Sequence, residues 1–436
     1  MSLEMVGLIG IVLLFVLIFL KMPIGLSLAM VGFIGVGVIR GIDPGLSVLG
    51  MEYFRTAATY QFSVIPLFVG MGFVASEAQL SSDAFYAINK WMGHQRGGLA
   101  MATTAACGMF AAICGDAIAT ATTVAAVSLP EMRKNKYADV LSVGCLAAGG
   151  NLGFLIPPSL GFIFYAILTE QSVGTLFMSG ILPGVLLTGL FMVTIAVMVW
   201  IKPQLAPPSP RASWGERLKS LRYIIGSLAL IILVLGGIYA GFFTPTEAGA
   251  VGVFGGIFLG LINRRLTSQG LVSSLRETAR LVGKIFILVT GAMVFSRFMV
   301  VSEIPLRLAE AIGALDVSPY IVLAIVLIFY ILIGFIMDIM SIILIAAPIL
   351  HPILVGLGFD PVWLAVITMI TVLMGHISPP VGIVVYGLSG YVRDVPVFTI
   401  FRGALPFLAA MLVCLLIVIR FQIIALWLPY LMRPAG

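Results

Sequence analysis

The chain has 436 residues, 61% of them hydrophobic and only 10% charged, with 48 Gly, 23 Pro and a mean hydropathy of +1.17. Its 24 Lys and Arg and 18 Asp and Glu cannot clothe a soluble domain of this size, whose surface carries roughly 25% or more charged residues, so a water-soluble globular protein is excluded. The net charge of +6 resides in basic clusters set between apolar runs, a positive-inside pattern that disfavours nucleic-acid binding.

The first apolar run covers residues 6–20, and similar runs cover 185–200 and 224–239, each free of Asp, Glu, Lys and Arg. About 20 apolar residues span a bilayer, so the fold class expected is all-α and polytopic. Glu4 stands where a signal peptide would carry basic residues, and no small-residue cleavage pattern follows, so a removable leader is not expected.

Residues 97–129 are rich in Gly, Ala, Thr and Cys and hold no apolar run long enough for two ordinary spans. A re-entrant hairpin fits, with its second arm starting at Asp116 after Gly115. A carboxylate there can cap the new helix, and it can also ligate a cation; the sequence leaves both open. Arg133, Lys134 and Lys136 then form a basic cluster.

Over 143–166 a helix should begin, pass Asn151, and break at Pro157-Pro158-Ser159 before resuming. Two adjacent prolines remove two amide donors and expose carbonyls that hydrocarbon cannot satisfy. Structural kinks and paired half-sites both explain such a break, and half-sites are favoured because the break recurs.

The interval 202–222 carries Pro203, Pro207, Pro208, Pro210 and five basic residues, and reads as a cytoplasmic connector between a first repeat, 1–201, and a second, 223–436. Pro23, Gly115, Pro130 and Pro157 have partners at Pro245, Gly334, Pro348 and Pro379, offset by 222, 219, 218 and 222 residues. Nearly constant offsets point to an internal repeat. With Lys21, the 133–136 cluster, the connector and Arg264-Arg265 on one side, each half makes an odd number of crossings. The repeats are then inverted, and both termini lie outside.

In the second half, Thr244, Pro245 and Glu247 read as a capping box. Gly255, Gly256 and Gly260 read as close helix packing. Arg297 can snorkel, pair with Asp338 or meet a substrate carboxylate. Gly334 and Asp338 mark a second hairpin, and Gly375, Ser378, Pro379 and Pro380 mark a second broken helix at 367–388. Trp363 and Trp427 can anchor membrane interfaces or equally cover helix contacts.

His94, His351 and His376 lack metal-ligand spacing, and Cys107, Cys114, Cys145 and Cys414 read as buried thiols. No phosphate-binding loop, dinucleotide fingerprint or catalytic triad is present in a credible context, so neither an enzyme nor a self-powered ATP transporter is expected.

These motifs together resemble the large membrane subunit of tripartite ATP-independent periplasmic (TRAP) transporters, the DctM-like family, across essentially the whole chain. The best local matches are Cys114-Gly115-Asp116, Pro130-Glu131-Met132, the segments 153–159 and 243–248, and 375–382. The resemblance implies a sodium-coupled secondary importer with a scaffold and an elevator-like moving region, in a bacterial or archaeal cytoplasmic membrane. It implies a small membrane subunit and a soluble periplasmic substrate-binding protein as partners, and Na⁺ as the coupling ion with no organic cofactor.

The sodium candidates are Gly115, Asp116, Asn151, Gly334, Asp338 and Ser378, and the wider ion and substrate set adds Pro157, Pro158, Ser159, Gly375, Pro379 and Pro380. Many relatives carry a Gly-Ser-Ser-like first hairpin tip, where this chain has Gly115-Asp116-Ala117. Small organic acids and zwitterionic solutes are the substrates implied, and a stand-alone ion-coupled transporter or exchanger is the alternative.

Overall fold

Long apolar segments punctuated by Gly and Pro give helices and little else, because in lipid a helix satisfies its own amides and carbonyls. The computed structural model describes residues 2–313 and 317–432, and among these every regular element is helical. In the first half these are α1 (Leu3–Phe19), α2 (Ile24–Arg40), α3 (Ile42–Ala58), α4 (Val64–Glu77), α5 (Leu80–Met92), α6 (Gly98–Cys114), α7 (Ala117–Lys134), α8 (Asp139–Leu155), α9 (Leu160–Leu168) and α10 (Val173–Ile201). The second half has α11 (Trp214–Ile231), which runs through a π-turn into α12 (Gly237–Tyr239), then α13 (Pro245–Ile262), α14 (Ser268–Val301) and α15 (Ile304–Gly313). It ends with α16 (Pro319–Gly334), α17 (Ile339–Gly356), α18 (Pro361–Ile377), α19 (Ile383–Tyr391), α20 (Val397–Arg420) and α21 (Ile423–Met432). Among the described residues seven helices are long and apolar enough to cross a membrane, or eight if the bent α3–α4 pair counts as one span.

The order of elements recurs. Two helices are followed by a long or bent one, then a short one, two hairpin arms, a broken helix and a long helix. One difference was not foreseen: α3 and α4 meet at a 55° bend, whereas the corresponding α14 runs unbroken for 34 residues.

The halves recur in sequence but interlock in space. Helix α2 packs on α14 while its counterpart α13 packs on α4; α9 packs on α17 while α19 packs on α7; α8 packs on α20 while α18 packs on α10. Each exchange pairs an element of one half with the other half, as a pseudo-two-fold axis requires.

One ion pair fixes the relative direction of the repeats. Arg133 reaches Asp139, at the start of α8, at 3.0 Å and Asp394, just beyond α19, at 2.7 Å. The start of the first broken helix therefore lies beside the end of the second, so the two run in opposite senses. The same end of the bundle gathers the Lys90–Glu216 and Arg265–Asp83 pairs and the Ala138 amide bonded to the Leu205 carbonyl. This is a basic face formed by the connector and its neighbours.

Small residues set the spacing of the exchanged pairs. A Cβ on Gly32 would meet the Val294 backbone at 2.7 Å, and one on Gly144 would meet Gly403 Cα at 2.7 Å. Such contact lets backbone touch backbone. Capping boxes at Ser213–Glu216 and Thr244–Glu247 open α11 and α13, as the Thr-Pro-Thr-Glu segment predicts. Of the two readings of Trp363 the structure shows the helix contact: it is fully buried, stacks on Phe359, and donates from Nε1 to the Val418 carbonyl at 3.0 Å. Trp427 remains half exposed.

Candidate functional site

Hairpin tip and helix break meet in each half. In the first, α6 ends at Gly115 with φ +67°, a conformation open to glycine without strain. A Cβ there would also fall 2.6 Å from the Pro158 carbonyl oxygen. The Gly115 carbonyl accepts from the Leu160 amide at 3.3 Å, which stitches the tip to the break between α8 and α9. Asp116 caps α7 by accepting from the Ala119 amide at 2.7 Å. Pro157 and Pro158, joined by a cis peptide, supply no amide donors. Ser159 bridges that gap: its hydroxyl donates to the Phe154 carbonyl at 2.5 Å and accepts from the Phe162 amide at 3.3 Å, capping α9.

The second half repeats this chemistry with different detail. Helix α16 ends at Gly334, whose Cα faces α18 so closely that a Cβ on Gly375 would lie 2.6 Å from it. Asp338 caps α17, accepting from the Ser341 amide at 3.1 Å on one oxygen and from the Ser341 hydroxyl on the other. Ser378 donates to the Met374 carbonyl at 2.6 Å, the Pro379–Pro380 peptide is cis, and His376 Nε2 donates to the Met337 carbonyl at 3.2 Å. That last bond ties the second break to the second tip.

Asn151 joins the two halves. Its Nδ2 donates at 2.9 Å to the carbonyl of Leu373, the residue 222 positions later, while its buried Oδ1 has no hydrogen-bond partner. An unpaired buried polar oxygen costs about 1–3 kcal/mol, so this atom is left able to accept a further donor or a cation. Two packing contacts reinforce the junction: Gly387 of α19 sits against Ile118 of α7, and Gly161 of α9 against the Met369 sulfur.

Around this junction end α6, α8, α16 and α18, and there begin α7, α9, α17 and α19. Helix N-termini favour anions and C-terminal carbonyls favour cations, so this arrangement offers both kinds of site. Water and lipid are held off unevenly. Pro157 and Pro158 are buried, as is nearly all of α8 and α9 around them, whereas Pro379 and Pro380 are exposed.

The candidate residues thus form two clusters, Gly115, Asp116, Pro157, Pro158 and Ser159 in one and Gly334, Asp338, Gly375, Ser378, Pro379 and Pro380 in the other, with Asn151 between them. The two carboxylates differ. Both oxygens of Asp338 are turned onto Ser341, whereas Asp116 lines a cavity of about 160 Å³ walled by α4, α6 and α7. No group of three or more His, Cys, Asp or Glu side chains suited to a metal occurs among the described residues.

Arg297 does not meet Asp338. Its Nε donates to Glu52 at 2.8 Å, with the Glu52 side chain only 6% exposed. This pair lies in a cavity of about 800 Å³ walled by α3, the start of α10, the start of α13 and the end of α14. That cavity opens between helix ends remote from the basic connector. Glu52 is not evident from the sequence because its partner stands 245 residues later; the signal was its charge, with that of Arg55, within one amphipathic stretch. His351 is a satisfied core histidine, 2.8 Å from the Tyr165 hydroxyl, and all four cysteines are free and buried.

Comparison with known proteins follows the same lines. Residues 11–424 match the family described as "Tripartite ATP-independent periplasmic transporter, DctM component". The chain is 36% identical over 87% of its length, and 89% of the relative's, to the C4-dicarboxylate TRAP transporter large permease of Pseudomonas aeruginosa. It is 30% identical to the sialic acid TRAP transporter large permease of Vibrio cholerae, over 96% of this chain and 97% of that one. Its fold is similar to the crystal structure of the YdaH transporter of Alcanivorax borkumensis, with a TM-score of 0.62, 15% identity and 89% of each chain covered.

Proposed function

The chain belongs to the DctM component family of TRAP transporters, and from that premise we propose that it is the large permease of a sodium-coupled importer of a small organic acid or zwitterionic solute. It is a multi-pass membrane protein, and its relatives are transport permeases and not enzymes. A periplasmic binding protein delivers the solute, and a small membrane subunit completes the complex. The observation that carries this reading is the junction at Asn151, where two broken helices and two hairpin tips of opposed repeats meet.

The solute's anionic group lies against the amide ends of α7, α9, α17 and α19. Na⁺ is held by carbonyls near Gly115 and Gly334 with oxygens of Asp116, Asn151 and Ser378, and Asp338 adds charge nearby. Na⁺ binding orders the tips, so the solute pocket forms only when the ion is present. The basic face is cytoplasmic by the positive-inside rule, which puts the cavity around Glu52 and Arg297 on the delivery side. The moving body comprises α6–α10 and α16–α20, held against a frame in which α2, α4, α13 and α14 pack together.

The test is uptake of the binding protein's best ligand into proteoliposomes, with each component omitted in turn. Uptake is expected only with this chain, the small subunit and the loaded binding protein together. Equal uptake by this chain alone would establish the stand-alone alternative.

A further inference from the structure

The cavity at Asp116 does not end at the hairpin. Phe73 of α4 and Leu281 of α14 wall it on one side, and the same two side chains wall a second space of about 570 Å³ that also touches Glu277, Arg280 and Lys284. Glu277 and Arg280 in turn border a third groove, of about 400 Å³, which follows α14 past Arg276 to Ser268. Three spaces that share side chains in sequence form one line from the hairpin tip to the basic end of the molecule.

We infer that this line is the cytoplasmic exit of the transport path, with Phe73 and Leu281 as its constriction and Arg276, Arg280 and Lys284 as a basic mouth that draws an anionic solute outward. Arg276, Arg280 and Lys284 recur every four residues, so they share one face of α14. Among the groups lining the second and third spaces Glu277 is the single carboxylate, and it is paired with Arg280 at 2.6 Å. Glu77, at the end of α4, lies near Gly270 beside the mouth, and Asp83 is held by Arg265 at 2.7 Å. The lining therefore keeps a positive excess on Arg276 and Lys284. The three cations stand exposed along an open groove, where their summed field raises the local concentration of anions. Binding of lipid headgroups alone would account for the charges but not for their continuity with the Asp116 cavity. The inference rests on the transport reading above, and its test requires no transport.

Cys114 lines the tip cavity and serves as a reporter. In the complete membrane complex carrying Cys107→Ala, Cys145→Ala and Cys414→Ala, Cys114 is labelled from the cytoplasmic side of inverted vesicles by anionic sulfonate and cationic ammonium methanethiosulfonates. Each rate is normalised to that of a small free thiol. The anionic reagent is expected to react about tenfold faster than the cationic one, as field focusing in a cleft allows. The ratio should fall towards one in Arg276→Gln/Lys284→Gln, and Phe73→Trp should slow both reagents. Thr122→Cys with Cys114→Ala gives a second reporter in the same cavity should one variant fail to assemble. A ratio near one in the unaltered mouth, a ratio indifferent to the double substitution, or labelling only from the opposite side would overturn the inference. With the mouth unaltered, absence of labelling selectivity while uptake is intact would refute the exit alone, and selectivity without any uptake would refute the transport reading.

Discussion

At the scale of single residues, burial decides which charges matter. Glu52 is nearly enclosed and has Arg297 as its partner, so removing the arginine strands a buried carboxylate. The Arg297 side chain is 49% exposed, so Arg297→Ala is expected to lower the unfolding free energy of the purified complex by about 1 kcal/mol, while Glu52→Gln with Arg297→Ala should recover part of that loss. Thermal melting of the four combinations checks this; equal melting temperatures would show that the pair contributes nothing. The sequence exposed Arg297 as a lone charge in an apolar run but not its partner, since pairing across 245 residues is set by helix packing. Asp116 was legible as a cap because it precedes a new helix after glycine, whereas Asp338 was legible only as the mark of a second hairpin, and its capping of α17 is seen in the structure. Their difference was not legible: the Ser341 hydroxyl that engages Asp338 has an alanine, Ala119, at the matching place after Asp116.

At the scale of elements, close backbone contact outweighs ion pairing. Arg133 ties α7, the start of α8 and the end of α19, yet its partners are 42% and 63% exposed, and such surface pairs contribute about 0–1 kcal/mol. Gly403 lies against Gly144 and the Val140 carbonyl where α20 crosses α8, leaving no room for a side chain. Gly403→Val should therefore lower the melting temperature far more than Arg133→Gln, and the reverse order would contradict the packing account. Both hairpins and both broken helices could be read from the sequence, because the Gly115-Asp116 tip, the Gly334 to Asp338 tip and the Pro-Pro pairs interrupt helices for local chemical reasons. The bend between α3 and α4 could not, since no proline or glycine stands at Thr59 and the matching α14 runs straight through.

At the scale of the molecule, the interlocked repeats bring cation-favouring and anion-favouring helix ends together at one junction. A repeat offset near 220 residues was visible in Pro and Gly alone, but the exchange of partners between halves was not, because sequence order does not specify which half supplies each packing surface. Asn151 makes the point: its offset from Leu373 equals the repeat, and the bond between them crosses the pseudo-two-fold axis. Coupling of an ion to a solute at that junction is the central claim. Its most direct test is initial solute uptake by the complete reconstituted complex under an inward, absent and outward Na⁺ gradient at fixed membrane potential. Accumulation above the external concentration under the inward gradient, abolished when the gradient is removed and reversed when it is inverted, is the predicted result. Accumulation indifferent to the Na⁺ gradient would contradict it.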